Sequence, residues 1–141
     1  MISKSLPTVE GAVNDILAQI VDFSIVFNMD GKQIDTHIVY DDDRVWPLEL
    51  SSGMERFISS LAMRVGLINV CNLPRANFLA IDEGFGNMDS DNLNSVYMLF
   101  QYLKSQFQFA FVVSHIESMR DTVDSLLEIS KTNGFSKVDF T

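Results

Sequence analysis

Apolar positions along the chain change period several times, and each change marks an element. Val9, Ala12, Val13, Ile16, Leu17 and Ile20 recur at intervals of three and four, the spacing of one helix face. A helix over 8–21 is expected, with Thr8 as N-cap after Pro7 and residues 1–7 as a frayed lead-in. The period then drops to two. Phe23, Ile25, Phe27 and Met29 alternate with Ser24, Val26 and Asn28; Asp30-Gly31 signals a turn; Ile34, Thr36, Ile38 and Tyr40 resume the alternation. This predicts a β-hairpin over 22–40, with Asp41-Asp42-Asp43 and Pro47 in an exposed loop. Helical spacing returns from about Met54 to Cys71, with Phe57, Ile58, Leu61, Ala62, Val65 and Ile68 on the buried face.

Phe78 to Asp82 is too short and too uniformly apolar for an amphipathic helix, and predicts a strand buried on both faces. Leu93, Val96, Tyr97, Phe100 and Leu103 define a helix over Ser90–Lys104, and Phe109–Val113 a second buried strand ending at Ser114-His115. A short helix near Ile116–Thr122, a strand over Leu126–Lys131, the turn Asn133-Gly134 and a last strand follow. Strand, helix, strand implies an α/β fold with a largely parallel sheet flanked by helices. Ligands gather at the carboxyl ends of such strands, where Asp82-Glu83 and His115 stand. With no internal repeat, low-complexity tract or linker, 1–141 reads as a single unit, and its candidate chemistry falls within 48–141.

The 141 residues suffice for one domain with a real core, and 47% apolar content fits a globular chain. A net charge of -9 argues against a nucleic-acid clamp acting alone, because phosphate binding needs clustered Lys and Arg. The lone Cys71 excludes a disulfide framework or cysteine metal site within one chain and favours an intracellular setting. No apolar run approaches the ~20 residues of a membrane span, and no signal-peptide pattern opens the chain. No membrane association is expected.

Four short stretches carry candidate chemistry, and each has a plain structural reading beside it. Asp82-Glu83 is either a solvated strand end or a site for Mg²⁺ held through water, with the second acid orienting a water. His115 is either a satisfied structural histidine or a phosphate contact. Leu50-Ser51-Ser52-Gly53-Met54-Glu55 makes a capping box, Ser52 with Glu55, and a helix N-terminus that attracts phosphate. Gly86-Asn87-Met88-Asp89 is a turn and a cap, or a loop that works.

In their order, these stretches resemble the second half of an ABC-type ATPase head: a signature motif (Leu50–Glu55), a Walker B strand with its acid (Phe78–Glu83), a D-loop (Gly86–Asp89) and a switch histidine (His115). Ser-Gly-Met-Glu-Arg ahead of Asp-Glu-Gly-Phe-Gly is most similar to the DNA-repair branch, the SbcC-type exonuclease subunit and its eukaryotic double-strand-break repair counterpart, relatives of the SMC proteins. The resemblance covers roughly 9–141 and makes the first helix the foot of a coiled-coil arm. It implies that Asp82 holds Mg²⁺ through a water, Glu83 polarises the attacking water and His115 contacts the γ-phosphate. It also implies that Ser52, Gly53, Glu55 and Asp89 serve ATP in trans, Ser52 and Gly53 at the γ-phosphate and Asp89 at the dimer seam. Arg64 matches a family arginine that relays closure between lobes, or is a surface charge. Spacing to Arg64 selects Ser52 rather than Ser51 as the signature serine. Met54 departs from the family pattern by occupying its second glycine.

A complete head also needs a phosphate loop, G-x-x-x-x-G-K-[ST]. Gly31-Lys32 is followed by Gln33 and lacks the earlier glycine, so it is not one. The chain is therefore expected to be the C-terminal lobe of a P-loop NTPase head, inactive alone. Its expected partners are an N-terminal phosphate-loop lobe of the same protein, a second head in a homodimer, a nuclease subunit, and DNA through the whole complex. The alternatives are an SMC-type chromosome-organising ATPase head and a non-catalytic assembly half-domain.

Overall fold

The computed structural model describes residues 2–41, 43–71, 74, 76–82 and 93–140. Helix α1 spans Ile2–Leu17 and carries Val13, Ile16 and Leu17 into the core. It starts earlier than the expected 8–21, so Thr8 lies inside it and is not its N-cap. Pro7 is tolerated because it sits in the second turn, where only a bond back to residue 3 is lost. The helix also ends sooner, as the amides of Gln19 and Ile20 turn back to the carbonyls of Ile16 (3.1 Å) and Leu17 (2.9 Å).

Strands β1 (Ser24–Asp30), β2 (Gln33–Asp41) and β3 (Arg44–Pro47) form an antiparallel sheet in that order. The hairpin is where the alternation predicts it, with Ile25 opposite Ile38 and both fully buried. Its turn lies one residue later than Asp30-Gly31. Asp30 pairs with Gln33, and Gly31 takes φ 61° at the first central position, as a type II′ turn requires. β3 corrects the expected loop at Pro47. A four-residue edge strand has too few positions to show alternation, and proline is admissible at its end. Along the outer edge of β1, α1 supplies the missing partners: Asn14 binds both the amide (2.8 Å) and carbonyl (2.9 Å) of Ile25, and Glu10 accepts the Phe27 amide (2.7 Å).

Helix α2 (Gly53–Val70) packs against α1 and buries Met54, Ile58, Leu61, Ala62 and Val65. Ile68, expected on that face, is exposed. Strands β4 (Phe78–Asp82) and β5 (Phe109–Val113) pair in parallel, from Phe78 opposite Phe109 to Asp82 opposite Val113. Helix α3, described over Leu93–Gln106, packs on β5 and buries Val96, Leu99, Phe100, Tyr102 and Leu103, while Tyr97 faces out. The α/β class stands, and β4–β5 is the one parallel pair among the described residues. Burial on both faces does not hold. Leu79, Ile81, Ala110 and Val112 face the core, whereas Phe78, Ala80, Asp82, Phe109, Phe111 and Val113 form a bare face. A uniform apolar run records that both faces need cover, not that this chain provides it.

A 3-10 segment, Glu117–Thr122, stands where a short helix is expected. Strands β6 (Leu127–Thr132) and β7 (Phe135–Phe140) close the chain as an exposed hairpin. Asn133 (φ 53°) and Gly134 (φ 84°) make the left-handed pair of a type I′ turn.

Candidate functional site

The parallel register brings two predicted site residues to one end of one sheet. Asp82 closes β4 opposite Val113, and His115 lies two residues beyond Val113. Both are exposed, and neither side chain has a hydrogen bond or ion pair among the described residues. Glu83 and the Gly86–Asp89 stretch lie outside the described residues. Among the described residues no three His, Cys, Asp or Glu side chains converge on a metal-binding point. An exposed carboxylate such as Asp82 at the strand end suits a magnesium ion held through water, whose remaining ligands come from phosphate and solvent.

The second cluster forms where β2 meets the start of α2. Ser52 is the N-cap of α2, and its hydroxyl accepts the Glu55 amide (3.2 Å) while Glu55 Oε2 accepts the Ser52 amide (2.6 Å). This is the predicted capping box in full. Of the two serines, Ser51 is nearly buried, its hydroxyl donating to the Leu48 carbonyl (2.6 Å), whereas Ser52 faces solvent at the helix mouth. Met54 needs no left-handed backbone: it is helical, with its side chain in the core. The departure from glycine therefore carries no backbone strain. Arg64 is exposed on α2.

One residue of this cluster escapes sequence reasoning. Tyr40 donates its hydroxyl to Glu55 Oε1 at 2.6 Å, so both carboxylate oxygens are engaged. Partial burial, with the adjacent Glu55 carboxylate, raises the Tyr40 phenol above its ordinary pKa. Burial pushes Glu55 upward, but the hydrogen bonds from Tyr40 and Ser52 outweigh it and leave the carboxyl below its usual value. In the sequence Tyr40 is only the last term of a strand alternation, and its partner is 15 positions away. Among the described residues no hydrogen bond or ion pair links Ser52–Glu55 to Asp82 or His115. Two shallow surface hollows flank the C-terminal end of α1, and neither Asp82 nor His115 lines them.

No family model matches the chain. A solved chain from a study of ATP-driven dimerization and DNA-stimulated activation of SMC ATPases superimposes with a TM-score of 0.80 at 17% identity, covering 99% of this chain and 87% of that one. The fold is that of part of an SMC ATPase head. An Smc head bound to the C-winged helix domain of ScpA matches the same fold, with a TM-score of 0.75 at 18% identity over 99% of this chain and 44% of that one. Sequence relatives of the chain include SbcC and Rad50 proteins. It is 32% identical over 88 residues to the SbcC component of the SbcCD nuclease of Deinococcus radiodurans, covering 62% of the chain and 10% of that protein. Identity to the DNA double-strand break repair Rad50 ATPase of Aeropyrum pernix is 27% over 148 residues, 96% of the chain and 15% of that protein. An uncharacterized protein of Acanthamoeba polyphaga mimivirus is 33% identical over 154 residues, 98% of the chain and 11% of that protein. The chain thus spans roughly a tenth of the length of the curated relatives it matches. Among the described residues no helix is long and apolar enough to cross a membrane.

Proposed function

We propose that this chain is the C-terminal lobe of an ATP-hydrolysing ABC-type head of the DNA-repair branch, completed by a phosphate-loop lobe that covers the bare face of β4–β5. The observation that carries it is the placement of Asp82 and His115 at one end of a parallel pair whose outer face is apolar and uncovered. A hydrolytic site there needs a second protein layer both to exclude water from the sheet and to grip the nucleotide. Asp82 would hold Mg²⁺ through a water and His115 would hydrogen-bond the γ-phosphate, with Glu83 orienting and deprotonating the attacking water. Magnesium, when bound, spreads the charge of the β- and γ-phosphates. Ser52 and Gly53, at the exposed N-terminus of α2, would meet the nucleotide of a second head, with Asp89 at the seam between them. Glu55, with both oxygens engaged inside the chain, would shape that surface. Closure of two heads on ATP would then regulate how a partner nuclease subunit processes DNA.

In a complete head, Glu83→Gln should slow hydrolysis by about 10²–10⁴-fold, the range for loss of a general base, and leave ATP binding intact. Parental turnover by that variant would remove Glu83 from the role. The chain alone should show no magnesium-dependent turnover. An SMC-type chromosome-organising head is the second reading, favoured by the structural likeness to Smc heads, one of them bound to ScpA. Co-purification of the full protein with a metallo-phosphoesterase nuclease, rather than with a kleisin-like chain, separates the two.

A further inference from the structure

The bond from Tyr40 to Glu55 lies outside the capping box, which Ser52 and Glu55 complete between themselves. Its origin is an irregularity in the sheet. The β2–β3 register runs from Val39 opposite Val45 to Asp41 opposite Arg44, which leaves Tyr40 as the extra residue of a β-bulge. Bulges bend a strand locally and re-aim one side chain. Here the re-aimed ring is held on several sides: Trp46 stacks on it at 5.4 Å, Phe23 tilts against it at 5.5 Å, and the Arg44 guanidinium stands 5.2 Å from its centroid. A ring so wedged holds its hydroxyl at one point. From that point it fixes one oxygen of Glu55, while the other oxygen fixes the Ser52 amide.

We propose that Tyr40 is a positioning residue for the nucleotide-facing turn at Ser52 and Gly53, setting through Glu55 the direction in which that turn meets the nucleotide of an opposing head. The capping box alone engages the Ser52 and Glu55 amides but leaves the carboxylate free to swing with the turn. The Tyr40 hydroxyl ties the same carboxylate to the three-stranded sheet, so the turn inherits the rigidity of the β2–β3 bulge. The bond is charge-assisted and partly shielded from water, and therefore stronger than an ordinary surface hydrogen bond. The proposal rests on Ser52 and Gly53 meeting ATP in trans, and its test is built to fail separately from that premise.

The test uses complete heads carrying Glu83→Gln, so that ATP-bound pairs accumulate. Adding Tyr40→Phe keeps the aromatic stack and removes only the hydroxyl. Head pairing, followed by analytical ultracentrifugation in ATP, should weaken by about tenfold, the scale of a lost hydrogen bond to a charged group. ATP affinity of the unpaired head should stay close to the parent, and the melting temperature should fall only as far as the loss of one partly exposed hydrogen bond brings. Amide exchange at Ser52 should accelerate, because Glu55 is then free to turn. Unchanged pairing with Tyr40→Phe would overturn the proposal, as would a loss matched by equal losses in ATP affinity and melting temperature. Ser52→Arg in the same background tests the premise: if those heads still pair on ATP, Ser52 does not face the nucleotide in trans, whatever Tyr40 does.

Discussion

Glu55 has both oxygens committed, one to the Tyr40 hydroxyl and one to the Ser52 amide. Its folded pKa lies below the ordinary carboxylate value. A group depressed in this way contributes stability that is present in full above its unfolded pKa and is lost as pH falls through the folded one. Glu55→Gln keeps one acceptor oxygen but carries no charge to titrate. It should cost about 1 kcal/mol at neutral pH, the scale of a helix cap. The gap between variant and parent should then close as pH falls below the ordinary glutamate value, about 4.3, and through the depressed folded one. Urea denaturation across that range measures it, and a gap independent of pH would show that the charge is not what holds the cap. The cap itself is legible in the sequence because its partners are three residues apart. The Tyr40 bond is not, because it depends on a bulge that joins residues distant in the chain.

The packing of α1 on α2 depends on one small residue. A Cβ added at Gly66 would lie 2.8 Å from Val13 Cγ2, and 3.3 Å and 3.4 Å from the Val13 amide nitrogen and Cα. The valine methyl can rotate away, but the backbone atoms yield only if the two helices separate. Alanine brings about 1 kcal/mol of helix propensity, against an overpacking cost of about 1–3 kcal/mol. Packing outweighs propensity, and Gly66→Ala should lower stability by about 1 kcal/mol in chemical denaturation. A more stable variant would mean that α1 is free to lift from α2. Nothing in the sequence marks Gly66 as the contact point, since an isolated glycine in a helical pattern reads first as a weak position. Periodicity does locate both helices and the hairpin, because each rests on several repeats of one period, and uniform apolar runs mark the strands of the parallel pair. It misplaces what depends on a single local balance: Pro7 inside α1, and the turn at Gly31. The four-residue β3 escapes it because so short a strand shows no repeat.

For the whole molecule, the decisive quantity is apolar surface that this chain leaves in water. On the outer face of β4–β5, Phe78 and Phe109 stack at 5.4 Å and remain 52% and 58% exposed, with Phe111 and Val113 beside them. On one face of the last hairpin, Leu127, Ile129, Val138 and Phe140 line up across the β6–β7 register, all exposed. Two effects oppose each other when such chains meet. The net charge of -9 repels, but at about 0.15 M salt that repulsion fades beyond about 8 Å. Burying one phenylalanine gains about 1.5–3 kcal/mol, a contact term that salt does not screen. Contact therefore wins at moderate salt, and the chain alone should self-associate in sedimentation experiments, more strongly as salt rises. Phe111→Lys should weaken that association by about 10-fold or more, with little change in melting temperature, because the side chain lies on the face of β5 turned away from the core. Association that weakens with added salt would identify an electrostatic contact elsewhere. A complete head without nucleotide should lose the part of this association that Phe111→Lys removes, since the layer that supplies the phosphate loop would also cover the face that carries Asp82.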